Sequence, residues 1–280
     1  AEMSPELHPL YTKTAVDGKT VLAAQIPEID KDQKPCYHLA VGRPHGAFKR
    51  VGGTNRAMSE AEIYNYDAYR NRIRDELRPC EQARWEDINP DGVENYMRRL
   101  ETANRLHANI RREQLLQMEG LLIDGKPTLA AILLFSYDPQ SFYPQYSIMA
   151  TVYDDEKLRE SRRLNGTLDM LCEQALQFVR KQLPLAARYP MDAVREALLN
   201  ALIHRDYLIL GSEVHIDIYD DRLTIYSPGG MPDGTRIQER DLSSISSTRR
   251  NPVLADIFGR LGYMERQGSG FKKITESYHA

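Results

Sequence analysis

The pattern of apolar and polar positions divides the chain into three blocks, the first covering about residues 1–80. In this block Ser59 and Glu62 have the spacing of a capping box, which predicts a helix from Ser59 to Leu77 that Pro79 ends. Three segments before it have the alternating, β-branched content of short strands: Thr20–Ile26, Tyr37–Val41 and Gly46–Val51. The first block is therefore predicted to be a small α/β unit.

The second block, 81–165, has a less regular pattern. Its predicted elements are a helix from Gly92 to Ile110, a short helix over Ile110–Met118 and a strand over Tyr143–Val152. The apolar run Thr128–Phe135 fits either a helix capped by Thr128 or a buried strand, and the pattern does not separate the two.

The third block, 166–280, alternates between helical and strand periods. Amphipathic helices are predicted over 166–182 and Met191–His204. Between them and the C-terminus lie a hairpin, Glu213–Tyr219 with Arg222–Tyr226, a helix from an Asn251 N-cap and Pro252 to about Arg260, and a helix over Phe271–Tyr278. Taken together, the three blocks predict an α+β protein.

One face of the predicted helix Met191–His204 carries Glu196, Asn200 and His204 at intervals of four residues. Helical geometry stacks such side chains about 6 Å apart. An amide oxygen can bind a hard cation such as Mg²⁺, and a carboxylate one turn away can polarise a water molecule. The alternative is a solvated polar stripe, because this spacing is common in surface helices.

Three further segments offer contacts for an anionic ligand. The turn that contains Ser227, Gly229 and Gly230 follows a predicted strand and allows close backbone approach. Arg249 and Arg250 precede a helix N-terminus, where free amides and the helix dipole favour an anion. The third is the sequence from Gly268 to Gly270, which precedes the last predicted helix. Each also has an ordinary interpretation, as a surface turn or a capped surface helix.

Composition and charge exclude several classes of protein. The chain has 280 residues, 41% of them hydrophobic, and 37 basic against 40 acidic residues give a net charge of −3. This composition excludes a disordered polyelectrolyte and argues against binding nucleic acid by bulk charge. A Walker A loop is absent from the sequence, which disfavours a P-loop helicase motor.

Apolar runs and cysteines indicate the compartment. The longest apolar run, Leu129–Phe135, is far shorter than the roughly 20 residues that a membrane span needs. Cys36, Cys80 and Cys172 are widely spaced and odd in number, which indicates reduced thiols. We therefore expect a cytoplasmic protein without a membrane partner.

Basic residues are dense in one part of the chain despite the negative net charge. Lys49, Arg50 and Arg56 lie within nine residues of one another, and further arginines and tyrosines follow up to residue 112. Arginines combined with aromatic residues can bind phosphates and stack on bases, so we predict a DNA contact at these three residues. The alternative is a solvated helix face with acidic partners.

Several of these segments, in this order, resemble a divergent GHKL ATP-binding domain, the class of the gyrases and histidine kinases. The resemblance is to the subgroup in RecG-like helicase and transcriptional regulator proteins. It is carried by REALLNALIHRDY (Arg195–Tyr207), DRLTIYSPGGMP (Asp221–Pro232) and RRNPVLADIFGRLGYMERQGSGF (Arg249–Phe271). It implies a C-terminal α/β sandwich over 166–280 that binds ATP and Mg²⁺.

The resemblance also implies roles for individual residues. Glu196 is expected to be the general base that orients the attacking water, and Asn200 to hold Mg²⁺ against the phosphates. The other residues expected at the cofactor are His204, Ser227, Gly229, Gly230, Arg249, Arg250, Gly268 and Gly270, with the two arginines in or near a mobile lid. Ser227 stands where GHKL proteins usually carry the Asp that reads the adenine amino group.

The first block has a resemblance of its own. FKRVGGTNRAMSEAEI (Phe48–Ile63) is similar to the second half of the Schlafen-type AlbA-like domain, a nucleic-acid-binding domain whose first half has no counterpart here. We therefore expect a smaller, partial AlbA-like domain over 1–80, a connecting segment over 81–165, and a chain that is a fragment of a longer protein.

Three hypotheses of function follow. The first is an ATP-binding, and in one version ATP-hydrolysing, regulator of transcription that acts with nucleic acid and forms a homodimer, as GHKL relatives do. The second is a degenerate GHKL fold without ATPase activity that serves as an interaction or dimerisation module, which the serine at position 227 motivates. The third, a nuclease, is disfavoured because the first block shows no carboxylate cluster for two-metal chemistry.

Overall fold

Two units, divided between Ile73 and Arg74, make up the chain. The computed structural model describes residues 2–27, 29, 33–51, 53–71, 74–106, 110–182, 189–230, 249–264 and 274. Unit 1 is Ala1–Ile73 and unit 2 is Arg74–Ala280.

In its described residues, unit 1 is built from short antiparallel strand pairs and two α-helices. Its elements are β1 (Met3–Ser4), β2 (Leu10–Val16), β3 (Lys19–Gln25), β4 (Tyr37–His38), α1 (Arg43–Gly46), β5 (Phe48–Val51), β6 (Thr54–Ala57) and α2 (Glu60–Asn71). The strands pair as β1 with β4, β2 with β3, and β5 with β6. All residues of the hairpin β2–β3 are exposed, and the buried apolar core described for this unit consists of Ala47, Met58 and Ile63.

The capping box predicted in unit 1 is confirmed. The Ser59 amide donates to the Glu62 carboxylate at 2.8 Å, and the Glu62 amide donates to the Ser59 hydroxyl at 3.3 Å. The predicted extension of this helix to Leu77 is wrong, since Asp75–Leu77 forms a separate 3₁₀ turn. The strand predicted over Tyr37–Val41 shortens to the two residues of β4.

Unit 2 contains a mixed sheet and most of the helices. Its elements are α3 (Pro90–Thr102), α4 (Arg112–Met118), β7 (Leu122–Ile123), β8 (Lys126–Pro127), α5 (Leu129–Phe135), α6 (Pro139–Phe142), β9 (Ile148–Asp154), β10 (Lys157–Leu164), α7 (Leu168–Lys181), α8 (Met191–Ile203), β11 (Val214–Ile218), β12 (Leu223–Tyr226) and α9 (Pro252–Arg260).

The sheet has the strand order β10-β9-β11-β12, with β9 and β11 parallel and the two outer pairs antiparallel. Alternate residues of β9 and β11, such as Ile148 and Ile216, are buried in the same core as Leu171 of α7 and Leu198 of α8. The other face of β11, with His215 and Asp217, stays partly exposed, as the period of two requires. The mixture of helices and sheets confirms the predicted α+β class.

Several sequence ambiguities in unit 2 are resolved. The run after Thr128 is the helix α5, whose seven residues are all buried and whose Thr128 hydroxyl accepts the Ala131 amide at 3.5 Å. The helix predicted over Gly92–Ile110 ends early, at Thr102, and the strand predicted over Tyr143–Val152 begins only at Ile148. The helix predicted over Phe271–Tyr278 lies outside the described residues except at position 274.

Candidate functional site

Helix α8 presents the predicted polar face. Glu196 and Asn200 are half-buried, one turn apart, while Leu198 and Leu202 on the opposite side are buried in the core. His204 follows as the C-cap, and its amide donates to the Asn200 carbonyl at 3.0 Å. The side-chain amide of Asn200 forms no hydrogen bond with any described residue, so its oxygen is available to a ligand.

The glycine turn after β12 packs directly against the end of α8. Ser227 donates its hydroxyl hydrogen to the Ala201 carbonyl at 2.6 Å, and the Pro228 carbonyl accepts the Asp206 amide at 2.9 Å. Gly229 has a φ of +112°, and a Cβ atom there would lie 2.5 Å from the Cβ of Asp206. Only glycine fits this close approach, which brings the predicted turn to the predicted helix.

A buried ion pair joins this turn to the start of α9. The Asp206 carboxylate accepts from Arg250 at 2.9 Å, and the exposed fractions of the two side chains are 4% and 12%. Arg250 also donates to the Gly230 carbonyl at 2.9 Å. Arg249 instead pairs with Asp256 of α9 at 3.1 Å. Arg250, one of the residues predicted at the cofactor, is therefore held at the turn by contacts that fix its direction.

The free helix N-terminus predicted beside these arginines is not free, so that expectation is wrong. The Glu76 carboxylate, from the 3₁₀ turn Asp75–Leu77, accepts the amides of Val253 at 2.9 Å and Leu254 at 2.8 Å. Asn251 occupies the predicted N-cap position, but its side chain makes no capping bond. An internal carboxylate therefore takes the place expected for an external anion.

Asn251 instead caps α8. Its side-chain nitrogen donates to the Ile203 carbonyl at 2.8 Å and to the Arg205 carbonyl at 2.9 Å, and the residue is 2% exposed. These carbonyls lie at the C-terminal end of α8, where main-chain acceptors have no helical partner. The side chain that sequence rules assign to α9 therefore ties α8 to α9.

His204 lies in an environment that opposes its positive charge. Burial, together with the nearby charges of Arg249 and Arg250, lowers the pKa of His204 to about 4. Its Nδ1 atom is buried and has no hydrogen-bond partner among the described residues. His204 is therefore neutral at pH 7.

The sequence analysis did not identify Asp206, Glu76 or Arg205 as contributors. Arg205 is 1% exposed and lies over the ring of Tyr146, 5.0 Å from the ring centre. Both Arg205 and Asp206 stand in the segment IHRDY directly after the polar face of α8, which was the available signal. No local signal could identify Glu76, because its partners lie 177 and 178 positions further along the chain.

The predicted DNA-contacting residues lie together on the hairpin β5–β6, where Lys49 is opposite Arg56. Both form ion pairs with Glu62. Partial burial opposes the charge of Glu62, but the hydrogen bond and charge of Lys49, with the charge of Arg56, lower its pKa to about 2. Arg50 donates to Asn55 at 2.9 Å. The carboxylate of Glu62 offsets part of the positive charge on which the DNA prediction rests.

The structure brings Glu196, Asn200, His204, Ser227, Gly229, Gly230 and Arg250 to neighbouring segments of unit 2. Gly268 and Gly270 lie outside the described residues, so their predicted contribution stays a prediction. No helix within the described residues is long and apolar enough to span a bilayer.

A family model matches residues 211–280, and its description is "Putative ATP-dependent DNA helicase recG C-terminal". This match supports an ATPase-like region in unit 2. It covers 70 of 280 residues and begins after α8, so it includes the glycine turn and α9 but not Glu196 or Asn200.

Among solved structures, the chain is similar to the DIP2311 protein from Corynebacterium diphtheriae, with a TM-score of 0.56 and 23% sequence identity. The alignment covers 96% of this chain and 46% of that one, so the chain spans less than half the length of that protein. At this identity the likeness concerns the fold. A comparison with curated proteins finds no match.

Proposed function

We propose that unit 2 binds ATP together with Mg²⁺ on the polar face of α8, and that it hydrolyses the nucleotide. The observation that carries this proposal is the meeting of three segments at the C-terminal end of α8. The turn Ser227–Gly230 bonds the last turn of the helix that presents Glu196 and Asn200, and Arg250 bonds Asp206, just after that helix, and Gly230 of the turn. The ATP-dependent family matched by residues 211–280 supports the same ligand.

The residue types fit Mg²⁺ and a phosphate chain. Magnesium prefers oxygen ligands and keeps several waters, so one side-chain oxygen from Asn200 is a sufficient protein contribution. When bound, the ion would neutralise charge on the phosphates. Glu196 lies one turn away, where its carboxylate can orient a water molecule and accept its proton.

Ser227 is compatible with adenine recognition despite replacing the usual aspartate. Its hydroxyl hydrogen is committed to the Ala201 carbonyl, which leaves the oxygen lone pairs as acceptors. An adenine amino group is a donor and can be read by such an acceptor. The hydrogen bond to α8 also fixes the direction in which those lone pairs point.

A role in transcription, a contact with DNA at Lys49, Arg50 and Arg56, and a homodimer extend this proposal. All three rest on the sequence resemblance. The ion pairs of Lys49 and Arg56 with Glu62 weigh against the DNA contact. A GHKL-type sandwich over 166–280 and an AlbA-like partial domain over 1–80 are likewise proposed as the fold families of these regions.

Substitution of Glu196 separates hydrolysis from binding. We expect Glu196→Ala to lower the turnover number for ATP at least about a hundredfold while Mg-ATP still binds, because only the proton acceptor is lost. Steady-state phosphate release and calorimetric binding measure the two effects. Asp192→Ala, which removes an exposed carboxylate from the same helix, is the matched control and should leave both unchanged.

Two results would change the assignment. Equal turnover in Glu196→Ala and the parent chain would exclude Glu196 as the base. Binding of Mg-ATP without any phosphate release above background would instead favour the alternative, a nucleotide-responsive interaction or dimerisation module without ATPase activity.

A further inference from the structure

A fully buried carboxylate holds the start of α9. Glu76 is 0% exposed, and its two oxygens accept the amides of Val253 and Leu254 at 2.9 and 2.8 Å. The residue lies in the 3₁₀ turn Asp75–Leu77, at the beginning of unit 2. This contact therefore joins the first segment of unit 2 to a helix near its C-terminal end.

Among the described residues, the surroundings of Glu76 supply no counter-ion in contact with its carboxylate. Within the described residues no cationic side chain forms an ion pair with its carboxylate. The charged and titratable groups that face it are Arg74 from its own segment, Asp256 from α9 and Tyr207 from the loop after α8. Burial raises the pKa of Glu76 to about 7, although the amides of Leu254 and Val253 lower it.

We propose that Glu76 is a proton-dependent latch, which holds the first turn of α9 against the 3₁₀ turn when protonated and loosens when it ionises. The proton comes from solvent and returns to it. An ionised carboxylate without a cation is costly in an apolar interior, and opening the contact returns the charge to water.

The latch acts on more than two amides. Asn251, immediately before α9, holds the carbonyls of Ile203 and Arg205 at the end of α8. Arg250 holds Asp206 and the Gly230 carbonyl. Loosening the first turn of α9 therefore weakens the attachment of the glycine turn and of the end of α8, whether or not a nucleotide binds there.

The direction of the pH dependence follows from the difference in proton affinity between the closed and open states. In the open state the carboxyl is solvated and has its ordinary pKa of 4.5, and in the closed state its pKa is about 7. Between these values the closed state binds the proton and the open state does not, so opening becomes easier as pH rises. The total change in the opening equilibrium is on the order of a hundredfold and levels off above pH 7.

Nuclear magnetic resonance of the nucleotide-free chain tests the latch directly. We expect the carboxyl ¹³C shift of Glu76 to titrate with a midpoint near 7. The protection of the Val253 and Leu254 amides against hydrogen exchange, corrected for intrinsic rates, should fall about fortyfold between pH 5 and pH 7. The Leu261 amide, bonded to the Ile257 carbonyl at the other end of α9, should not change.

Glu76→Gln keeps the size of the side chain and one acceptor oxygen but cannot titrate, so the protection of both amides should become independent of pH, at whatever level it has. Glu113→Gln, an exposed glutamate in the first turn of α4, is the matched control and should behave as the parent chain. A ¹³C midpoint at the ordinary acidic value, constant protection of the two amides, or an equal change at Leu261 would overturn the proposal. These wild-type measurements decide the matter even if Glu76→Gln does not fold.

Discussion

Asp206 connects more of the candidate site than any predicted residue does. It binds Arg250 through one carboxylate oxygen, accepts the Leu208 amide through the other at 3.0 Å, and donates its own amide to Pro228. A buried carboxylate with this set of partners stabilises the local arrangement through several bonds at once. The Asp206–Arg250 ion pair therefore tests how much these contacts stabilise the candidate site.

Removing Asp206 should be costly. We expect Asp206→Ala to lower the free energy of unfolding by about 3 kcal/mol, since the largely buried Arg250 charge loses its counter-ion. Urea unfolding followed by circular dichroism measures the change. The exposed pair Arg222–Asp221 is the comparison, and Asp221→Ala should cost less than about 1 kcal/mol. Similar small losses in both variants would contradict the account.

His204 should make the fold sensitive to acid. Its pKa is about 4 in the folded chain against an ordinary value of 6.5, so the unfolded chain binds the proton more strongly between these values. Stability therefore falls as pH drops from 6.5 to 4, by up to about 3 kcal/mol from this group.

The variant His204→Gln should lose this part of the pH dependence in urea titrations at pH 7, 6 and 5. Glu76 contributes with the opposite sign over nearly the same range, so the two effects partly cancel in the parent chain. His8→Gln changes an exposed histidine of unit 1 and should leave the profile as it is. A profile in His204→Gln identical to that of the parent would show that His204 titrates normally when folded.

At the level of elements, the glycine turn and the ends of α8 and α9 form one structure. The two glycines of the turn differ sharply in their surroundings. Gly229 has positive φ and lies against Asp206, whereas a Cβ at Gly230 would meet no atom within 4 Å. The turn is therefore sensitive to side chains at one position and tolerant at the next.

Substitution by alanine should separate these two positions. We expect Gly229→Ala to destabilise the fold by about 2 kcal/mol or more, because its Cβ would overlap Asp206 and its φ disfavours an L-residue. Gly230→Ala should change stability by less than about 0.5 kcal/mol. Thermal unfolding of the two variants makes the comparison, and equal melting temperatures would contradict this description of the turn.

Local patterns predicted the elements whose signals lie within a few residues. The capping box at Ser59 and the periods of α7, α8 and the hairpin β11–β12 were predictable for this reason. Strand β10 was missed because all but its last residue are exposed, so KLRESRRL shows no apolar alternation. The use of Glu76 as the cap of α9 depends on a contact across 178 positions, which no local rule contains.

The polar face of α8 was predicted from its spacing, but the side chains that hold the end of this helix in place were not. The sequence places Glu196 and Asn200 one turn apart, and α8 presents them in that way. Asn251 was assigned to the helix that follows it, yet it binds the Ile203 and Arg205 carbonyls at the end of α8. Tertiary packing decides which helix end Asn251 serves, because the N-cap preference of asparagine is worth only about 1 kcal/mol.

On the scale of the whole molecule, the two units differ in how well they are packed. Unit 1 has three described buried apolar residues and an exposed hairpin, whereas unit 2 has a continuous core from α3 to α9. Stability should be concentrated in unit 2, which also holds the proposed nucleotide site.

Calorimetric titration of Mg-ATP into the folded chain tests the central claim most directly. We predict saturable binding with one site per chain that weakens when Mg²⁺ is removed with EDTA and when Asn200 is replaced by alanine, since the amide oxygen is the proposed metal ligand. The absence of saturable binding by a chain whose fold is verified by circular dichroism would contradict the proposed function.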